Sequence, residues 1–270
     1  MKLGLGLSKR NAGLPAPYVY FLDEYPGAAY AYSFRELNST YTGACFRLRR
    51  ASDNAETDIG FVEHYVDESA ILSFLGPSFG HVVTWYDQSG NSVNKTQPTG
   101  GLQPVIAFSG VITKADGFVG MTSNIFTYGA KGMYNAVSGG GATSQAFNVF
   151  NEGVGSECLP ATNTSSSASK FYGLMQPNAN DPTLASGTPT YYRNGSVFTA
   201  PTRNTLYSAF NGNLSLLTTL NVDLSGWTES SSLYPGYRGI DGWNMEEIVY
   251  YTTAWGRATL EQNIINYYQL

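Results

Sequence analysis

Apolar and polar residues alternate along most of this chain, and the alternation breaks at short polar turns. Over residues 44–50, Ala44, Phe46 and Leu48 fall on one face and Cys45, Arg47 and Arg49 on the other, the period-two pattern of a half-buried strand. Ser52-Asp53-Asn54 follows as a turn, because Asp and Asn side chains bond the backbone two residues on. Residues 82–86 repeat the logic with β-branched and aromatic side chains, and the polar run 87–91 stops them. Trp85 is expected to be buried and Asp87 to close the turn. Further strands are expected at 18–23, 103–108 and 243–251, with short apolar runs between glycines over 110–128. Asn194-Gly195 marks a hairpin over 190–199, since this pair favours the primed turn whose twist matches the strands. Residues 206–210 and 214–222 continue the meander. Helical spacing is expected in two places, with a turn or short helix over 25–36 besides. Residues 63–74 form one helix, ended by Gly76-Pro77. The other closes the chain, where Thr259-x-x-Gln262 resembles a capping box and Leu260, Ile264, Ile265 and Tyr268 make an apolar stripe.

Residues 1–17 read differently. They are Gly-rich and end in Pro15 and Pro17, so neither strand nor helix persists. The segment is either a disordered terminus or an arm in which Leu3, Leu5 and Leu7, with Lys9 and Arg10, dock on a neighbouring subunit. The division is therefore an arm, 1–17, and one domain, 18–270. A hydrophobic share of 42% and 20 Tyr with 14 Phe suit a large all-β core. Only 13% of residues are charged, against about 25% in an average soluble domain. A formal charge of −5 gives no electrostatic footprint for nucleic acid. Arg47, Arg49 and Arg50 are the one tight basic group, expected to pair with Asp53, Glu56 and Asp58 on a solvated strand face. Cys45 and Cys158 are too few for a disulfide framework, and whether they pair stays open. No run is long enough to span a membrane. Nor does the N-terminus read as a signal peptide, so the sequons at Asn38, Asn194 and Asn213 are expected to stay unmodified.

The run YTG…RLRRASDNAETDIG, within residues 31–60, together with WYDQSGN at 85–91, resembles the N-terminal half of the catalytic domain of family 54 α-L-arabinofuranosidases. It is also similar to a wider set of phage and bacterial proteins with a concanavalin A-like β-sandwich. The ending, residues 242–270, resembles the closing strand and helix of the same group. The resemblance implies an all-β fold, a concanavalin A-like (jelly-roll) antiparallel β-sandwich with a short C-terminal helix. It also raises glycoside hydrolysis, which needs two carboxyl groups flanking the scissile bond. In the family the nucleophile is a glutamate on a Met-Glu-Ala-Ile-Tyr-Phe strand and the acid an aspartate in a Gly-Gly-Asp-Asn loop. Here the nearest analogue of the first, residues 170–176 (KFYGLMQ), carries no acid, and Asp241 is the one rough stand-in for the second. The family's adjacent-cysteine pair is missing too. Met245-Glu246-Glu247-Ile248-Val249-Tyr250 looks similar to the nucleophile strand locally but corresponds to the last strand.

Other chemistries find less support. His64 and His81 have neither zinc spacing nor a Gly-x-Ser-x-Gly elbow nearby. Asp53, Glu56 and Asp58 lack calcium-hand spacing, which leaves room only for a weak structural calcium partly on backbone oxygens; no cofactor is expected. Tyr191, Tyr192, Trp227, Tyr234, Tyr237 and Trp243 sit in or beside turns and are candidates for stacking on sugar rings. With the nucleophile motif absent, the sequence points to a non-enzymatic bacteriophage virion protein: a capsid decoration, head-fibre or tail component on the external virion surface. Its expected partners are other virion proteins, bound through the arm, and copies of itself, with host-surface carbohydrate as a further ligand. The alternative is a secreted lectin or arabinan-active glycoside hydrolase.

Overall fold

The computed structural model describes residues 18–122, 133–136, 144–151, 161–163, 171–172, 175, 178, 180, 187–199, 201–222, 229–232 and 244–270. The arm at 1–17 and Cys158 lie outside them. The fold is an antiparallel β-sandwich with a C-terminal helix.

One layer runs Tyr30–Ser33, Asn244–Tyr251, Gln145–Asn151, Ser215–Val222, Gly187–Arg193 and Ser196–Phe198, every pair antiparallel. The other pairs Glu56–Ile59 with Phe46–Arg50 and the latter with Gly80–Trp85. From there Lys95–Thr96 leads to Met133–Ala136 and Glu229–Ser232, while Val105–Phe108 pairs at the opposite end. Met121–Thr122 bonds both Val105 and the Met245 end of the long strand. It thereby joins the two layers at one corner.

Alternation sorts the side chains. Tyr30, Tyr32, Phe46, Leu48, Val82, Trp85, Phe150, Leu217, Ile248 and Tyr250 form the core between the layers. Ala31, Phe147, Val149, Leu216, Val249 and Tyr251 point the other way and are covered by Phe21, Leu22 and the helix residues Leu260, Ile264 and Tyr268. Burying each large apolar side chain contributes about 1.5–3 kcal/mol.

Several local expectations are corrected. The stretch 18–23 is not a strand, for Phe21–Glu24 is a short helix that buries two consecutive residues, Phe21 and Leu22. Between it and the strand Tyr30–Ser33 there is no further helix. The helix expected over 63–74 starts later, at Glu68. Asp67 caps it by accepting from Ala70 N, and residues 61–66 form a two-stranded hairpin instead. Residues 206–210 are helical, because Thr202 and Thr205 make a reciprocal capping box that begins Arg203–Phe210. The closing helix Arg257–Tyr268 takes Gly256 as its N-cap, and the Thr259 hydroxyl donates to Gly256 O. The Asn194-Gly195 hairpin forms as expected, with φ of 46° and 80° at its two turn residues.

Candidate functional site

The two stretches that carry the resemblance fold onto one another. Asp87 is buried and accepts four hydrogen bonds, from Ala31 N (2.8 Å), Ser89 N (2.9 Å), Ser89 Oγ (2.7 Å) and Val93 N (3.0 Å). Gln88 accepts from Leu37 N and donates to Ser33 O and Arg35 O. Asn91 donates to Ala28 O and Ala29 O. The polar turn after Trp85 is thus a clamp on the strand Tyr30–Ser33 and the chain that follows it. Of the basic group, Arg47 pairs with Asp58 and Arg50 with Asp53, whose carboxyl is held down at about 2 by the hydrogen bonds from Arg50 and Ala55 N. Arg49 instead reaches Gln103, Gly100 O and Asn54. Asp53 and Asp58 are thus committed to arginines.

The clamp fixes an aromatic cluster between the layers. Tyr30 stacks on Tyr250 with ring centroids 5.0 Å apart, and Trp85 stacks on Phe34 at 5.0 Å and lies 5.6 Å from Tyr32. Lys95, fully buried, places Nζ 5.3 Å from the Tyr32 ring centre and 5.7 Å from that of Tyr30. Polar groups are set among these rings without partners. Trp85 Nε1, both ends of the Asn148 side-chain amide and Thr219 Oγ1 are buried and unbonded. Strand alternation puts Asn148 on the face of Ala146 and Phe150, towards the inner core. A buried polar atom left unbonded costs about 1–3 kcal/mol, so several of them facing one interior call for a physical reason beyond packing. Flat rings with an amide, an indole N–H and an ammonium group suit a polyhydroxylated ligand. Met175, from the segment resembling the family's nucleophile strand, is fully buried in this same inner core.

Acid chemistry lies on the last strand. Glu247 is fully buried and takes a two-pronged ion pair from Arg35, at 2.7 Å and 2.9 Å, with Ser33 Oγ at 2.8 Å and Tyr268 OH at 3.2 Å. Burial opposes the Arg35 charge, but Glu247 more than offsets it and keeps the guanidinium protonated. Glu246 is equally buried, yet neither of its oxygens has a partner from another residue. Pairing explains its position. Val149 opposes Glu247 and Phe150 opposes Met245, so Glu246 is the extra residue of a β-bulge. Burial, and then the charge of Asp116, push its carboxyl well above the ordinary range. It is sealed from solvent: a Cβ at Gly120 would come within 2.5 Å of Glu246 Oε1.

Of the six sugar-stacking candidates, Tyr191 and Tyr192 are among the described residues. Tyr191 is 3% exposed and packs in the inner core, so it offers no face to solvent. Its neighbour Tyr192 points to the opposite side, where the Arg257 guanidinium sits 3.8 Å from its ring centre. Trp227, Tyr234, Tyr237 and Trp243 lie outside the described residues, as do Leu3, Leu5, Leu7, Lys9, Arg10, Gln176 and Asp241. His64 joins Tyr20 OH and Glu36, each at 3.0 Å from Nδ1, and stacks on Tyr18. Reasoning from sequence missed Asn148, Lys95 and Glu246. A polar residue inside an otherwise apolar strand, as in QAFNVF, is the signal that would have marked the first.

Residues 18–137 match the family model described as the catalytic domain of alpha-L-arabinofuranosidase B. Among solved structures, an arabinofuranosidase complexed with arabinofuranosyl-alpha-1,2-xylobiose superposes with a TM-score of 0.51 at 17% identity, over 91% of this chain and 64% of that one. A glutamate-to-glutamine mutant of a family 54 α-L-arabinofuranosidase soaked with 4-nitrophenyl α-L-arabinofuranoside gives 0.51 at 16% identity with the same coverage. The chain therefore spans 64% of the length of these structures. No curated protein sequence matches it. The likeness establishes the sandwich fold. It also corrects the expectation of a non-enzymatic virion structural protein, whether capsid decoration or tail component, because the matched family is one of enzymes and the matched part is its catalytic domain.

Proposed function

We propose that this chain is a glycoside hydrolase of the arabinofuranosidase type, acting on α-L-arabinofuranosyl groups bound between the two sheets. The observation that carries the reading is the inner cluster of Tyr30, Tyr32, Trp85 and Tyr250, with unbonded Asn148 and Trp85 Nε1, in a fold that resembles a catalytic domain. The buried position of Met175 in that core supports it, since Met175 belongs to the segment that resembles the family's nucleophile strand.

Hydrolysis of a glycoside needs a proton for the leaving oxygen and a group that attacks or guides water to the anomeric carbon. The resemblance assigns the first role to Asp241. Gln176 follows Met175 where the family has Met-Glu; an amide forms no glycosyl ester but can orient a water molecule, whose proton passes to the Asp241 carboxylate left once the leaving oxygen is protonated. Slow turnover without a covalent intermediate is the consequence. Asn148 and Trp85 would hold sugar hydroxyls, Asn148 accepting and donating and Trp85 donating only.

The test is release of 4-nitrophenol from its α-L-arabinofuranoside by the purified chain. Asp241→Asn should lower kcat by about 10²–10⁴-fold, the worth of one acid–base group. Asn148→Ala should act chiefly on KM, and Gln176→Glu should raise kcat. A wild-type rate no higher than that of buffer, or one indifferent to Asp241→Asn, would sink the assignment.

A further inference from the structure

A cavity lies between the C-terminal helix and the hairpin Lys114–Val119. It has a volume of about 460 Å³ and is lined by Arg35, Tyr65, Glu68, Asp116, Phe118 and Tyr267 among others, within the ~300–1,000 Å³ usual for small-molecule sites. Tyr268, which lines it too, packs in the outer core, whereas Phe34, Val66 and Val119 on its wall belong to the inner one. The cavity therefore adjoins the aromatic cluster through Phe34, which stacks on Trp85, while Tyr30, Tyr32, Trp85 and Tyr250 do not line it.

The chemistry of this cavity is specific. Arg35 is only 2% exposed, yet it lines the wall. It spends three of its N–H groups, two on Glu247 and one, at 3.4 Å, on Asn263 Oδ1. A guanidinium carries five donors in a fixed fork, so two remain. Glu247 and the Tyr267 ring, whose centre is 4.2 Å from the guanidinium carbon, hold that fork in place. Tyr65 and Tyr267 are near-parallel, and Phe118 is tilted against Tyr267 with centroids 5.5 Å apart, giving apolar walls. At the rim Lys114 pairs with Glu68, and Asp116 accepts only a long bond, 3.4 Å, from Leu214 N. Arg35 and Lys114 face three carboxylates, Glu68, Asp116 and Glu247. That balance disfavours an anion, and among the described residues no group of three or more His, Cys, Asp or Glu could hold a metal ion.

We infer that this cavity is a second carbohydrate site that takes a neutral mono- or disaccharide, with the sugar ring against Tyr65 and Phe118. The spare Arg35 donors and the Asp116 carboxylate bind its hydroxyl groups. It does not depend on catalysis between the sheets. A neutral polyol satisfies both halves of the wall, since its hydroxyls accept from Arg35 and donate to Asp116 while its C–H faces cover the rings.

The test is a titration of the ¹⁵N-labelled full chain with xylobiose, followed by NMR at the Gly117 and Gln269 amides. The Trp85 Nε1–H signal reports on the inner cluster, which meets the cavity only through Phe34. Saturable shifts at Gly117 and Gln269, with glycerol at equal concentration leaving them in place, are expected. Asp116→Ala should weaken xylobiose about two- to tenfold, the worth of a hydrogen bond, with the folded spectrum intact. Silence at both amides, an equal response to glycerol, a response to phosphate instead, or undiminished affinity in Asp116→Ala would each overturn the inference. A change at Trp85 alone, with both amides silent, overturns it as well, whereas a chain that binds at Gly117 but hydrolyses nothing would keep this site while losing the other.

Discussion

Glu246 offers a quantitative test of how the last strand is built. Its carboxyl is fully buried and unbonded, with Gly120 packed over it and the Asp116 charge nearby. Both burial and Asp116 favour the neutral acid, so the native state holds its proton well above the ordinary value of 4.5 while the unfolded chain releases it there. The sign follows from linkage. Below about pH 4 both states carry the proton and the group is neutral to folding. Above it the native state binds more protons than the unfolded state, so stability falls as pH rises, by about 1.4 kcal/mol per pH unit for as long as the native carboxyl stays protonated. Glu246→Gln keeps the shape and removes the titration. Measured by urea unfolding, the variant should match the wild type near pH 4, apart from a constant offset, and gain on it steadily as pH rises above 5, until the native carboxyl loses its proton. The difference between the two proteins isolates this carboxyl from every other titrating group. A variant whose advantage is the same at pH 4 and pH 7 would refute the reasoning, as would a loss that grows with pH.

Other outcomes follow from the same contacts. Arg35→Met leaves Glu247 buried without its partner and should cost about 3–5 kcal/mol in urea unfolding, whereas Arg35→Met combined with Glu247→Met should cost much less; equal losses would argue against an interaction between the two. Asp87→Ala removes an acceptor shared by four donors and strands three backbone N–H groups, so thermal unfolding should register more than about 3 kcal/mol. Thr202→Ala deletes the cap of Arg203–Phe210 and should cost about 1 kcal/mol, with little change in circular dichroism. Gly120→Ala should be far worse than an ordinary Gly-to-Ala change, because its methyl group meets Glu246 Oε1 at 2.5 Å, and Glu246→Ala in the same chain should rescue it.

The features readable from sequence were those with a local cause. Alternation at Phe46–Arg50, the Asn194-Gly195 turn and the apolar stripe Leu260, Ile264, Tyr268 each dictate their structure within a few residues. Asp87 was legible as a turn residue, but its bond to Ala31 N spans 56 positions, and nothing local announces that reach. Two short elements misled for opposite reasons. Phe21 and Leu22 look like part of a strand, yet both are buried, which a helical turn packed on the outer core allows. Leu206 and Phe210 look like strand residues until the Thr202–Thr205 box is recognised. The bulge at Glu246 was hidden because strict alternation assigns Met-Glu-Glu-Ile no irregularity, and only the partner strand reveals the extra residue. Functionally, the reading of residues 170–176 as a nucleophile strand without its acid outweighed the resemblance itself, whereas the matched family model is that of a catalytic domain. The unbonded polar atoms facing the inner core come from strands distant in sequence, Trp85, Asn148 and Thr219, and only the sheet order brings them to one interior.

The central claim is that α-L-arabinofuranosyl groups are cleaved by this chain. It is tested most directly by ¹H NMR of arabinofuranosyl-α-1,2-xylobiose incubated with the wild-type protein and with Asp241→Asn. Free arabinose and xylobiose should accumulate with the wild type and cease to do so with the variant. An intact trisaccharide after prolonged incubation with folded wild-type protein would contradict it.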